Sequence, residues 1–279
     1  MKRRSVISIL SVALGAAAFA LRLLQRKTGF EVDTGLPIPG NVPAILLPVL
    51  LAAAAVLLLS MVRPLAKGPV QAPFSQLFDL SDRRCLFAIV GGTCATVLAG
   101  ILDLADAMGG PRTALSADGM EIVTVGSSLG RTGMVLGVLS LIAGACLFLG
   151  AVLCRKDPAA PPLVLLAVPV CLLVRLILIY RIYSRDPVLA DYYLDLLALV
   201  LLILGTYRLS GFAVQAGSPR AFALYAELSA ILALAALADG PSAAVLLAVG
   251  IALALAGFQL ALRPDTAAAD SSNSPPSAE

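Results

Sequence analysis

Residues 162–180 of this chain are apolar except for Arg175, and residues 192–207 are apolar except for Asp195. Each run approaches the roughly 20 residues that a helix needs to cross the hydrocarbon of a bilayer. The segment between them, Ser184-Arg185-Asp186-Pro187, predicts a tight polar turn and therefore a helical hairpin. Asp186 is placed to cap the second helix, and Pro187 suits a first turn, where no backbone donor is needed. Tyr180, Tyr183, Tyr192 and Tyr193 flank this turn. Four of the six tyrosines in a chain without Trp thus gather where an aromatic belt would mark the membrane surface.

The two charges inside these runs need an explanation. With the surface near Tyr183 and Asp191, Arg175 lies about 12 Å deep and Asp195 about 6 Å, at 1.5 Å rise per residue. A long Arg side chain spans such a difference by snorkelling. Asp191 and Asp195 are four apart and share a helix face. The expected partner of Arg175 is therefore Asp195, because an unpaired charge at depth costs several kcal/mol, on the order of 3 on insertion scales. The structural reading is a pair that locks two helices; the functional reading is an ion or solute site. Snorkelling is easy in the outer half of the membrane, which puts the structural reading first.

Composition removes many alternatives. Hydrophobic residues make up 59% and charged residues 13% of the chain. A soluble domain carries roughly 25% charged residues, so the chain reads as an all-α, polytopic membrane protein. A net charge of +3, with no basic run beyond Lys2-Arg3-Arg4, gives no footprint for nucleic acid. Without a single histidine, Ser-His and Cys-His catalysis, HExxH metal sites and His proton relays are all excluded. No Walker A pattern and no GxGxxG after a strand is present, so no nucleotide is expected. Cys85, Cys94, Cys146, Cys154 and Cys171 form no CxxC and read as free thiols in apolar runs. No metal and no cofactor is expected, and no catalytic residue is singled out.

Taken in order, the chain predicts about eight spans. Lys2-Arg3-Arg4 precede an apolar run over 5–24, which also has the form of a signal peptide with Ala18-Phe19-Ala20 as a cleavage-like site. The internal match described below favours a retained first helix. Asn41 and Pro43 begin span two, which reaches about Val62. In the following loop Phe74, Leu77 and Phe78 have helical spacing and read as a turn or two lying on the membrane surface. Ser81 is expected to cap span three, over about 85–104, which ends at Asp103 and Asp106. The long, Gly- and Ser-rich connection 107–131 reads as a loop over the outer mouth of the bundle. Span four, about 132–154, carries Gly133, Gly137, Ser140 and Gly144, a small-residue stripe that lets helices approach closely in lipid. The hairpin supplies spans five and six. Ser218-Pro219 opens span seven, about 221–237, which holds Glu227; Asp239-Gly240-Pro241 turns the chain into span eight, about 242–262. The remainder, 264–279, is rich in Ala, Ser, Pro and acid and reads as a disordered cytoplasmic tail.

Landmarks recur in the same order in the two halves. Arg22-Leu23 matches Arg175-Leu176, Arg63 matches Arg208, Leu104-Ala105-Asp106 matches Leu237-Ala238-Asp239, and Leu153-Cys154-Arg155-Lys156-Asp157 matches Leu262-Arg263-Pro264-Asp265. They suggest a 4+4 parallel tandem repeat, with one half over 1–157 and the other over 158–263. With the N-terminus inside, 12 of the 20 basic residues fall on the inner side and 8 on the outer. That bias has the sign of the positive-inside rule and predicts both termini in the cytoplasm.

The loop from Thr28 to Pro37 and the stretch from Tyr180 to Pro187 with Tyr192 resemble segments of uncharacterised multi-spanning membrane proteins from anaerobic Gram-positive bacteria. The resemblance implies the single cytoplasmic membrane of such cells and no activity, and it carries over no functional residue. The expected function is that of a non-enzymatic scaffold, sensor or complex subunit, with the lipid bilayer and other membrane proteins as partners. The alternative is a transporter of a small solute or ion, with Arg175, Asp195, Asp191 and Glu227 as its site and Asp103, Asp106 and Arg22 at its outer mouth. Against it, Pro48 and Pro169 fall in spans two and five, which do not correspond, so no matched broken helices are evident. If Glu227 is structural, it snorkels or pairs with Arg220 or Arg208.

Overall fold

The computed structural model describes residues 2–31, 36–65, 73–80, 82–109, 112–115, 121–124, 130–156, 162–184 and 189–263. The expected turn at Asp186-Pro187 and the tail 264–279 lie outside the described residues. The fold is an all-helical bundle in which eight helices are long and apolar enough to cross a membrane. Spans one and two are α1 (Lys2–Thr28) and α2 (Val42–Val62). A short α3 (Phe74–Leu77) precedes span three, α4 (Arg83–Met108), and span four is α5 (Gly130–Lys156). Span five begins as a 3₁₀ turn, Leu163–Leu166, and continues as α6 (Ala167–Tyr183); α7 (Leu189–Ala213), α8 (Pro219–Ala236) and α9 (Ala243–Ala261) complete the set. Two short strands, β1 (Arg112–Leu115) and β2 (Glu121–Thr124), pair antiparallel within the connection expected to be a plain loop.

The helix starts follow local chemistry. Asn41 caps α2 by accepting from the Ala44 amide at 3.2 Å, and Ser242 caps α9 by accepting from Val245 at 3.2 Å. The cap of α4 is Asp82, whose carboxylate accepts from the Arg84 amide at 3.0 Å, and not the expected Ser81. Pro169 cannot donate to a carbonyl four residues back, and the turn before it tightens to 3₁₀. Gly240, at φ +95°, reverses the chain after the 3₁₀ turn Leu237–Asp239, a conformation that a side chain would disfavour.

Small residues set the packing. Lipid tails are as apolar as Leu, so helices in a membrane associate through close backbone approach rather than through burial from water. Gly92 of α4 lies so near the Gly250 carbonyl and Ala254 of α9 that a Cβ would clash with both. About two turns further along the same face α4 meets α5, where Gly100 and Gly137 each face the other's carbonyl. The stripe expected on span four is therefore an interface, with Gly137 against Leu104 and Gly144 against Val97. Helix α8 packs against α1, α7 and α9, whereas only 22% of α2's span is buried. The largest contact, α4 with α9, and that of α1 with α8 join the two sequence halves into one body.

The loop before α4 departs from expectation. Phe74, Leu77 and Phe78 do not lie on a surface but are buried, with Leu77 fully enclosed. Phe74 stacks on Phe78 at 4.2 Å, and Phe78 meets Phe212, Phe222 and Phe258 edge-on at 5.3–6.4 Å. Backbone bonds fix the segment: the Asp79 amide donates to Ala261 O, and the Arg263 amide to Leu77 O. Arg263 and Asp79 also form an ion pair at 2.6 Å. Three helices contribute one phenylalanine each near the same end, and the loop inserts two more. Such edge-to-face pairs add about 0.5–1.5 kcal/mol each beyond area burial.

Candidate functional site: two buried arginine clamps

At the end of the bundle opposite the phenylalanines, two arginines are buried almost completely. Arg22 and Arg175 are 0% and 2% exposed. Helical phase puts them there. Arg22 belongs to the buried stripe Ser11, Gly15, Ala18, Arg22, Gln25, and Arg175 follows Leu165, Val168 and Leu172 at spacings of three and four.

The Nη1 of Arg175 donates to Asp103 Oδ2 at 2.7 Å, to Ser140 Oγ at 2.7 Å and to Leu136 O at 3.1 Å. One guanidinium thereby joins α6 to α4 and α5. Ser140 passes its own proton to Leu136 O at 2.9 Å, which leaves its oxygen free to accept. The expected Arg175–Asp195 pair is not formed. Asp103 shares the face of α4 that carries Gly92, Thr96 and Gly100, and so it points inward at the Arg175 head instead of standing at an outer mouth.

Arg22 is likewise inside the bundle, not at its mouth. Its Nε donates to Asp239 Oδ1 at 2.8 Å and its Nη1 to Gln25 Oε1 at 3.2 Å, while its guanidinium carbon lies 5.8 Å from the Tyr193 ring centre. Arg26 reaches the same Asp239 Oδ1 at 2.9 Å. Asp239 sits just past the end of α8, where a helix dipole disfavours negative charge, and the two cations beside it offset that. Asp106, the third residue expected at the mouth, is exposed at the end of α4.

Asp195 is half-buried and makes no hydrogen bond or ion pair among the described residues. It lines a cavity of about 20 Å³ with Arg175, Ile179 and Leu199, closed by Ala244, Leu247 and Ala248 of α9. That volume holds one water molecule. The side chain of Asp191 lies outside the described residues.

Glu227 lies deeper, 5% exposed. Its Oε1 accepts from Ser8 Oγ of α1 at 2.7 Å and from Gln259 Nε2 of α9 at 2.6 Å. Neither Arg220 nor Arg208 is its partner, because its face of α8 looks toward α1 and α9. Sequence reasoning missed Ser8, Gln259 and Gln25, and read Ser140 only as part of a packing stripe. Each lies in phase with the buried small residues of its own helix, the one signal that could have found them.

Among the described residues no three His, Cys, Asp or Glu side chains converge as a metal site. The described cysteines are free; Cys85, Cys154 and Cys171 are buried, and Cys94 is exposed on α4. Cys94 borders an open, apolar notch of about 420 Å³ between α4 and α5, lined by Val97, Leu98, Ile101 and Phe148.

Eight apolar spans with charges neutralised between helices define a multi-pass integral membrane protein. No family model, no curated protein and no solved structure matches the chain.

Proposed function

We propose that the protein is a non-enzymatic membrane scaffold or complex subunit whose intramembrane charges hold its helices together. The observation that carries this reading is the direct closure of Arg175 on Asp103 and Ser140, and of Arg22 on Asp239. A solute pathway needs polar groups left open to the solute, whereas these groups close on one another, with Asp239 Oδ2 the one buried oxygen of the two clamps that lacks a hydrogen bond among the described residues. The reading includes residence in a cell membrane, with both ends of the bundle core, Lys2 and Arg263, on the cytoplasmic side. It also includes a duplication of two four-helix halves. Supporting that is the reciprocity of the clamps: Arg22 and Arg175, matched in sequence, each pair with an acid near the end of a span of the other half.

A thermal-unfolding scan in detergent against ions, metabolites and pH, on wild type and Asp195→Asn, tests the reading. A ligand bound by the folded state alone raises the melting temperature. The scaffold reading expects no compound to give a shift that the variant abolishes; such a shift would overturn it.

One observation favours the alternative, a transporter of a small solute or ion. Asp195 faces the 20 Å³ cavity beside Arg175 without a bonded partner, as a site in a closed state would. Flux into proteoliposomes that is lost in Asp195→Asn, with folding unchanged, is the result that reading requires.

A further inference from the structure

The arginines of the bundle are not all clamped. Arg208 lies on α7, five residues before the helix ends at Ala213, at the end where the phenylalanines gather. At 1.5 Å per residue that is about 7.5 Å inside the end of the helix. Its Nε is buried without a hydrogen-bond partner. It forms no ion pair among the described residues, in contrast to Arg22, Arg175 and Arg263. Its guanidinium carbon sits 5.7 Å from the ring centre of Tyr207, a residue that is 55% exposed.

These facts locate the cation. Tyr207 faces sideways out of the bundle, where a bilayer would surround it, and the guanidinium lies over that ring. The head group is therefore at the lateral perimeter of the bundle, one to two turns below the helix end. In a membrane this is the level at which hydrocarbon gives way to lipid phosphates, and where tyrosine rings settle. A guanidinium presents a planar fork of donors that matches two phosphate oxygens. Fully hydrated, Arg208 would need no such partner, but its Nε is shut off from water and its ring neighbour faces lipid.

We propose that Arg208 and Tyr207 form a docking site for the phosphate of an anionic phospholipid in the leaflet at this end of the bundle. The outer nitrogens of Arg208 grip the phosphate, and Tyr207 supports the guanidinium from below and packs against the first part of an acyl chain. Basic side chains at the cytoplasmic membrane surface recognise anionic head groups in this manner. An acidic protein would meet Arg208 only by entering between it and the surrounding lipid.

The test uses the full chain in nanodiscs of phosphatidylcholine, with phosphatidylglycerol added in steps. Native mass spectrometry counts retained lipid, and unfolding is followed in parallel. Wild type is expected to retain phosphatidylglycerol and to melt at a higher temperature as its fraction rises. Arg208→Gln should lose about tenfold in lipid retention, and Tyr207→Leu should lose less. Arg155→Gln, which removes an exposed cation at the same end, should leave retention unchanged. Arg208→Lys, which keeps the charge without the fork, should fall between wild type and Arg208→Gln and serves if the Gln variant does not fold. Equal retention in wild type and both Arg208 variants would overturn the proposal. So would a stabilisation that inorganic phosphate reproduces in phosphatidylcholine alone, since the site would then belong to a soluble anion. An equal loss in Arg155→Gln would overturn it as well, by reducing the effect to general basic charge.

Discussion

The two ends of the bundle are held by different forces. At one end Arg22, Arg175, Asp103 and Asp239 close into ion pairs between helices. At the other, five phenylalanines interlock and Glu227 is held nearby by neutral donors from Ser8 and Gln259. Lipid gives helices no hydrophobic drive to associate, so each end needs its own adhesive. Charges are specific and long-reaching, and they fail badly when one partner is lost. Aromatic rings distribute the attachment over several contacts. The ion pairs fix which helices meet, and the ring cluster fastens a loop that sequence alone leaves unattached.

Breaking the charged end should cost most. Asp103→Ala leaves Arg175 buried without its counter-ion, and removal of one partner of a buried pair costs about 3–5 kcal/mol. Unfolding by denaturing detergent, followed by circular dichroism, should show a loss of that size. At the aromatic end, Phe78→Ala removes the ring that touches four others, and the expected loss is about 3 kcal/mol, toward the lower end for a buried phenylalanine. The same variant should expose the 73–80 loop to proteolysis, a change that Asp103→Ala should not produce.

Between the two ends, Gly92→Val forces α4 and α9 apart where backbone meets backbone. Overpacking of this kind costs about 1–3 kcal/mol and should be read in the same denaturation series. The smallest effect belongs to Glu227→Gln. The amide oxygen still accepts from Ser8 and Gln259, so only the charge assistance is lost, and the change should stay within about 1 kcal/mol. A much larger loss would mean that the Glu227 carboxylate does something its neutral partners do not reveal.

The spans themselves were legible because hydropathy and length are local properties. The starts of spans two and eight, at Asn41 and Ser242, were legible for the same reason, since helix-start signals act on amides two or three residues away. The partners were not. Asp103 and Arg175 are 72 residues apart, and no local pattern ties one to the other. Proximity along the chain pointed to Asp195, which shares the hairpin with Arg175, but helical phase decided otherwise. Asp103 falls on the glycine face of α4, and that face turns inward. Phe74 and Phe78 misled for a related reason: an amphipathic turn has the same sequence whether its apolar side meets lipid or meets Phe212, Phe222 and Phe258.

Arg175 and Asp103 act as a clamp between α6 and α4, and a double-mutant cycle measures that directly. The unfolding free energies of wild type, Arg175→Gln, Asp103→Asn and the double variant give the coupling between the two side chains. The clamp predicts that the double variant is more stable than the sum of the single losses by about 1–3 kcal/mol. Additive losses would show that the two residues stabilise the bundle independently, and the clamp would have to be abandoned.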